Sequence, residues 1–198
     1  MPPELTPVDV WTIDLDAEPD NRAPPAILSQ DERERAARFR FEQDRRRWSA
    51  ARSALRTILA ADLKTEPLSL QFIYGVHGKP ALGEANLHFN VSHSGHWAMI
   101  AVTHGAPVGI DLEQIRDNVD IGKLLERIAE PLSGENTPAL FQIWARREAR
   151  TKALGIPLME IPGGDLRVLN LIAPEGYAAA LALVGRDPLV NYRKFHTQ

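Results

Sequence analysis

The sequence predicts a mixed α/β (α+β) fold made of two similar halves, and three observations lead there. Several short stretches alternate apolar and polar residues with period two. Two longer stretches repeat apolar residues at helical spacing. The order strand, helix, strands then occurs twice, on either side of a turn near His104–Pro107. At 198 residues the chain is long enough for one large domain or two small halves. Hydrophobic residues make up 44% and charged residues 25%, the ordinary globular range.

The elements follow in order. Val8 to Leu15 is a strand, with Val8 and Val10 on one face and Trp11, Ile13 and Leu15 on the other. Asp16 to Pro25 is a loop. Ser29 and Glu32 have capping-box spacing, so a helix starts there and runs to about Arg40. A second helix spans 42–61, with Trp48, Ala51, Leu55, Ile58 and Leu59 as its buried stripe and Arg47 on the flank. Leu68 to Tyr74 is a strand and Gly75–Pro80 a turn. Leu87–Ser92, Trp97–Thr103 and Pro107–Glu113 form a three-stranded meander. Leu124–Ile128 is helical and Glu130–Pro138 a mobile loop. Leu140–Leu154 is a helix ended by Gly155 and Pro157. Asp165–Ile172 and Tyr177–Val184 form a closing hairpin.

Composition excludes several classes. With no cysteine there is no disulfide, thiolate zinc site or thiol nucleophile, which fits a reducing compartment. The start has no signal-peptide pattern, and no apolar run approaches the ~20 residues that span a bilayer. The expectation is a cytoplasmic protein without a membrane partner. A net charge of −3 argues against a nucleic-acid partner. Yet between Arg33 and Arg56 nine arginines face only three acids. A local basic zone suits a compact anion; the same arginines also read as a solvated helix face.

In Val108–Glu113, alternation sends Val108, Ile110 and Leu112 to one face and Gly109, Asp111 and Glu113 to the other. Two carboxylates, with no side chain at Gly109 to block a ligand, suit a divalent cation completed by phosphate oxygens. Taken alone, the pattern equally describes an edge strand with two surface acids. On the helix that carries Trp144, Arg146 and Arg150 share the water side, while Glu148 and Lys152 turn toward the protein. An inward acid and lysine must be paired or bound, because burying either alone is costly. The turn Ser92-His93-Ser94-Gly95 offers N–H groups and polar side chains to a phosphate. No Gly-rich nucleotide fingerprint is present.

The ordered set G-K-P (78–80), F-N-V-S-H-S (89–94), V-G-I-D-L-E (108–113) and W-x-x-R-E-A-x-x-K (144–152) resembles the 4′-phosphopantetheinyl transferases, in particular the monomeric type that activates surfactin synthetase. The resemblance implies two pseudo-symmetric halves, 1–105 and 106–198, each a small antiparallel sheet packed with helices, with the active site in the cleft between them. It implies transfer of phosphopantetheine from coenzyme A to a serine of an acyl, peptidyl or aryl carrier protein, with Mg²⁺ as cofactor. Asp111, Glu113 and Glu148 would be metal ligands, and Glu148 also the base. Lys152 would contact the diphosphate. Ser92 belongs to the phosphate-binding turn; His93 and Arg47 would contact the 3′-phosphate, with Arg35 a further candidate. Lys79 would lie near the adenine. The family usually has lysine where this chain has Arg147, and the stretch between Glu113 and Trp144 is short. Two other readings stay open: another metal-dependent enzyme acting on a nucleotide diphosphate, such as a hydrolase, or a non-catalytic module that binds coenzyme A or a carrier.

Overall fold

The computed structural model describes residues 5–17, 27–83, 86–127, 136–160 and 162–195. In chain order the elements are β1 (Leu5–Asp14), α1 (Gln30–Ala37), α2 (Glu42–Leu63), β2 (Phe72–Tyr74), β3 (Pro80–Leu82), β4 (Leu87–Ser94), β5 (Trp97–His104), β6 (Val108–Gln114), α3 (Ile121–Arg127), α4 (Thr137–Leu154), β7 (Leu166–Asn170), β8 (Tyr177–Val184) and β9 (Asp187–Lys194). One sheet has the order β4-β5-β1-β9, a second has β6-β8-β7, and β2 and β3 form a small hairpin. All pairs are antiparallel except β1–β9.

Alternation along β1 makes it the centre of a layered molecule. Its Ile13 and Trp11 face α2, which buries Ala51, Ala54, Leu55, Ile58 and Leu59 against them and against Phe89 and Ile100. Val8 and Val10 face the other way. With Met99 and Ala101 they pack on Val108, Ile110, Leu112, Leu181 and Leu183 of the second sheet. The far side of that sheet lies under α4, where Ala145, Ala149 and Ala153 meet Ala180 and Ala182. The order of layers is therefore α2, first sheet, second sheet, α4.

Local signals set the helix ends. The Ser29 N–H donates to Glu32 Oε2 at 2.9 Å, as the capping-box spacing predicts. Glu32, only 2% exposed, also accepts from Arg52 and Arg56, which ties α1 to α2. Asn136 Oδ1 accepts from the Ala139 N–H at 3.1 Å and starts α4. Pro138 falls inside the first turn, where its missing N–H costs nothing. Gly155, at φ 68°, stops the helix.

The structure corrects three expectations about the elements. The meander ends at β5: both edges of β5 are taken, by β4 and β1, so β6 changes layer and pairs with β8. Of the strand expected over Leu68–Tyr74 only Phe72–Tyr74 is a strand, and Pro67–Ser69 is a 3₁₀ turn held by Arg56 Nη1, which donates to the Pro67 carbonyl at 2.6 Å and to that of the following Leu70 at 3.1 Å. The expected closing hairpin (β7, β8) is followed by β9, which crosses back to pair with β1. Its Leu189-Val190-Asn191-Tyr192 alternation was a usable strand signal. Most of the loop expected over Glu130–Pro138 lies outside the described residues.

Gly109 has a different use from the one its sequence suggests. A Cβ there would collide with the Ala149 carbonyl oxygen and the Ala153 nitrogen, and would lie 2.9 Å from Ala153 Cα. The missing side chain makes room for α4 itself, not for a ligand. Gly109→Ala is expected to lower unfolding free energy by about 1–3 kcal/mol, the usual cost of overpacking. Urea denaturation measures this; an unchanged midpoint would show that helix and strand are not in contact.

Candidate active site

The close approach of α4 to β6 brings Glu148 and Lys152 beside Asp111. Asp111 is 1% exposed. Its Oδ1 accepts from Ser92 Oγ at 2.9 Å and from Lys152 Nζ at 2.5 Å. Its Oδ2 is buried and has no hydrogen-bond partner among the described residues. Lys152 Nζ also donates to Ser92 Oγ at 3.2 Å and lies 3.9 Å from Glu148 Oε2. Glu113, one alternation beyond Asp111, accepts from Ser94 Oγ at 3.1 Å and from Trp144 Nε1 at 3.3 Å.

A polar seam between β4 and β6 sets these positions. Asn90, Ser92 and Ser94 occur at every second residue of β4 and share one face. Asn90 Oδ1 accepts from the Ile110 N–H at 2.9 Å, and Ser94 Oγ accepts from the Gln114 N–H at 3.1 Å. Ser92 and Ser94 donate to the two carboxylates between. The two strands belong to different sheets, so β4 side chains replace the backbone ladder that would otherwise pair them. The expected phosphate-binding turn at Ser92 and His93 is the end of strand β4, and Asn90, Ser94 and Trp144 hold the site together with Ser92. The N-x-S-x-S alternation was the signal for the first two.

Electrostatics mark the site as strained. Burial raises the Glu113 carboxyl above the ordinary carboxylate range, and the Asp111 charge adds to it. Burial also raises Glu148; Lys152 opposes that, while Asp111 and Glu113 reinforce it. Three acids around one lysine leave negative charge in excess. Among the described residues no group of three or more His, Asp or Glu is arranged to hold a metal ion. The donor chemistry still suits a hard cation: the candidate donors are carboxylate oxygens, one of them is buried and unpaired among the described residues, and two of the acids are raised chiefly by burial.

His93 points from β4 to the opposite side from Ser92, toward α2. Burial and the nearby Lys152 charge hold its imidazole below the usual value. Arg47 forks onto Asp16, with Nε to Oδ1 at 2.9 Å and Nη2 to Oδ2 at 2.5 Å. Arg35 is exposed, with its guanidinium 5.4 Å from the Trp48 ring centre. Much of the basic zone is thus already engaged: Arg45 with Glu42, Arg52 and Arg56 with Glu32. Lys79 lines a cleft of about 350 Å³ with Tyr74, His77, His88 and Phe89, which the three acids do not reach. On α4, Arg146 is exposed as expected. Arg150 is half-buried and donates to the Pro162 carbonyl at 3.1 Å, because the chain after α4 folds back over it. Arg147 is buried and donates to the Glu160 carbonyl at 2.7 Å, holding the same segment.

A raised carboxylate destabilises the folded state once it ionises: the stability it offers is full below the unfolded pKa and declines as pH rises through the folded one. Glu148→Gln removes that charge. Its melting temperature is therefore expected to exceed wild type at pH 7.5, and the difference to shrink as pH falls toward 4.5 and to vanish below it. A lower melting temperature for the variant at pH 7.5 would show that Glu148 is stabilised by its surroundings.

Comparison with known proteins shows the family. A family model described as 4′-phosphopantetheinyl transferase, N-terminal, matches residues 20–105. The chain is 39% identical to the 4′-phosphopantetheinyl transferase HetI of Nostoc sp., over 93% of this chain and 92% of that one. It is 29% identical to a phosphopantetheinyl transferase of Thraustochytrium sp., over 85% and 66% of the two chains. It is 26% identical to the 4′-phosphopantetheinyl transferase Sfp of Bacillus subtilis, over 67% and 64%. One buried and two half-buried acids around a lysine, on a chain that matches HetI over 93% of its length at 39% identity, place this protein among the 4′-phosphopantetheinyl transferases.

Proposed function

We propose that this enzyme transfers phosphopantetheine from coenzyme A to a serine hydroxyl of an acyl or peptidyl carrier protein, with Mg²⁺ held by Asp111, Glu113 and Glu148. The observation that carries this reading is the buried, unpaired Oδ2 of Asp111 amid two further acids and Lys152. The serine oxygen attacks the diphosphate phosphorus next to pantetheine, and the bond to adenosine 3′,5′-bisphosphate breaks. The serine proton passes to Glu148, whose raised pKa makes it a better base than a solvated carboxylate. Lys152 offsets charge on the departing phosphate. When bound, the metal ion would supply Lewis-acid neutralisation of the diphosphate oxygens.

The 3′-phosphate of the donor goes to His93 and Arg47, on the α2 side of β4, with Arg35 at the rim. Because Arg47 already forks onto Asp16, a phosphate there competes with that carboxylate. In this reading the enzyme works as a monomer in the cytoplasm, since one chain supplies the residues of the site. No helix among the described residues is long and apolar enough to cross a membrane.

Intact-mass analysis of a carrier protein, after incubation with coenzyme A and enzyme, tests the reaction. One added phosphopantetheine is expected with Mg²⁺ and none after chelation with EDTA. Breakdown of coenzyme A without carrier modification would indicate a hydrolase instead. In the same assay Glu148→Gln is expected to lose at least ~10²-fold in rate, the low end of general-base contributions. Near-normal turnover would remove Glu148 from its role. Arg47→Ala is expected to weaken coenzyme A more than dephospho-coenzyme A; equal weakening would show that Arg47 does not meet the 3′-phosphate.

A further inference from the structure

We propose that Lys79 is a positioning residue: its ammonium pins the C-terminus of α4 to the start of β6 and so fixes Lys152 and Glu148 against Asp111. Lys79 Nζ donates to the Ala153 carbonyl at 2.9 Å and to the Val108 carbonyl at 3.0 Å. These acceptors are 74 and 29 residues away in sequence, so one side chain from a turn in the first half clamps two elements of the second.

Each end of the clamp sits next to the chemistry. Ala153 follows Lys152 directly, and Val108 is three residues before Asp111. The Ala153 carbonyl is among the last four of α4, which have no partner within the helix, and a positive charge there also suits the helix dipole. The turn that presents Lys79 is closed by its own backbone: the Gly75 N–H donates to the Lys79 carbonyl at 3.0 Å and the Gly78 N–H to the Gly75 carbonyl at 2.9 Å. Gly78 takes φ 78°, which a side chain would resist. Burial lowers the Lys79 pKa to about 8, so the group is largely charged at neutral pH. Its Nζ is engaged by these two carbonyls.

This role rests on the transfer reaction assigned above, and its consequence is kinetic. If α4 slides on β6, Lys152 leaves Asp111, and a misplacement of about 1 Å at reacting groups costs up to ~10²-fold in rate. Substrate affinity need not change. A lysine that contacted coenzyme A would show the opposite pattern, with a raised KM.

The chain has no cysteine, so Lys79→Cys carries a single thiol. Alkylating it with 2-bromoethylamine in denaturant, then refolding, restores an ammonium at lysine length. Lys79→Cys is expected to lose about tenfold or more in kcat, with the KM for coenzyme A within about twofold of wild type. Aminoethylation is expected to recover kcat, whereas carbamidomethylation is not. Hydrogen exchange over residues 149–155 is expected to speed up in the variant and return to wild-type rates on aminoethylation. A raised KM with intact kcat, or unchanged kcat and exchange, would overturn the role.

Should the variant fail to fold, acetic anhydride labelling of the wild-type protein decides. Lys79 is expected to react far more slowly than the exposed Lys64 and Lys123; equal labelling would show that it is not clamped. If the wild-type enzyme modifies no carrier, the transfer reading fails, while exchange and labelling still report on the clamp.

Discussion

The contact between α4 and β6 is the constraint on which the site depends. Backbone meets backbone at Gly109, and alanines at 145, 149 and 153 line the rest of the helix face. Small residues on both sides let the helix axis come close, which is how Glu148 and Lys152 reach a strand carboxylate that is almost fully buried. Larger side chains would fill the same layer with more apolar area. They would also hold the helix away and separate the charged groups.

A second constraint joins the two sheets. The first sheet presents Asn90, Ser92 and Ser94 to β6, which cannot enter the β4-β5-β1-β9 ladder. These side chains accept from the Ile110 and Gln114 N–H groups and donate to the Asp111 and Glu113 carboxylates, which lets an extended strand lie beside another sheet with those backbone groups paired. The carboxylates are oriented in the process. Structural pairing and ligand positioning are here the same set of bonds.

Charge distribution follows from these two contacts. In sequence the excess of arginine over 33–56 suggests an open basic surface. In the fold several of these residues are tied up internally, above all Arg52 and Arg56, which neutralise Glu32 between α1 and α2. Around Lys152, by contrast, three acids gather: Asp111, Glu113 and Glu148.

The sequence by itself determined β1, the Ser29-capped start of α1, α2 and its buried stripe, α4 and its terminating glycine, and the β7–β8 pair. These depend on periodicity and on capping, which act over a few residues and so are written locally. It also determined the inward orientation of Glu148 and Lys152, because helical phase fixes which residues share a side. Only the tertiary structure decided that β6 leaves the meander for a second sheet, that β9 returns to β1, that Gly109 serves the helix, and that Lys79 is tied to carbonyls far along the chain. Each of these depends on which edge is already occupied or which atom lies across a layer boundary. No spacing within one segment encodes a neighbour that arrives from 29 or 74 residues away.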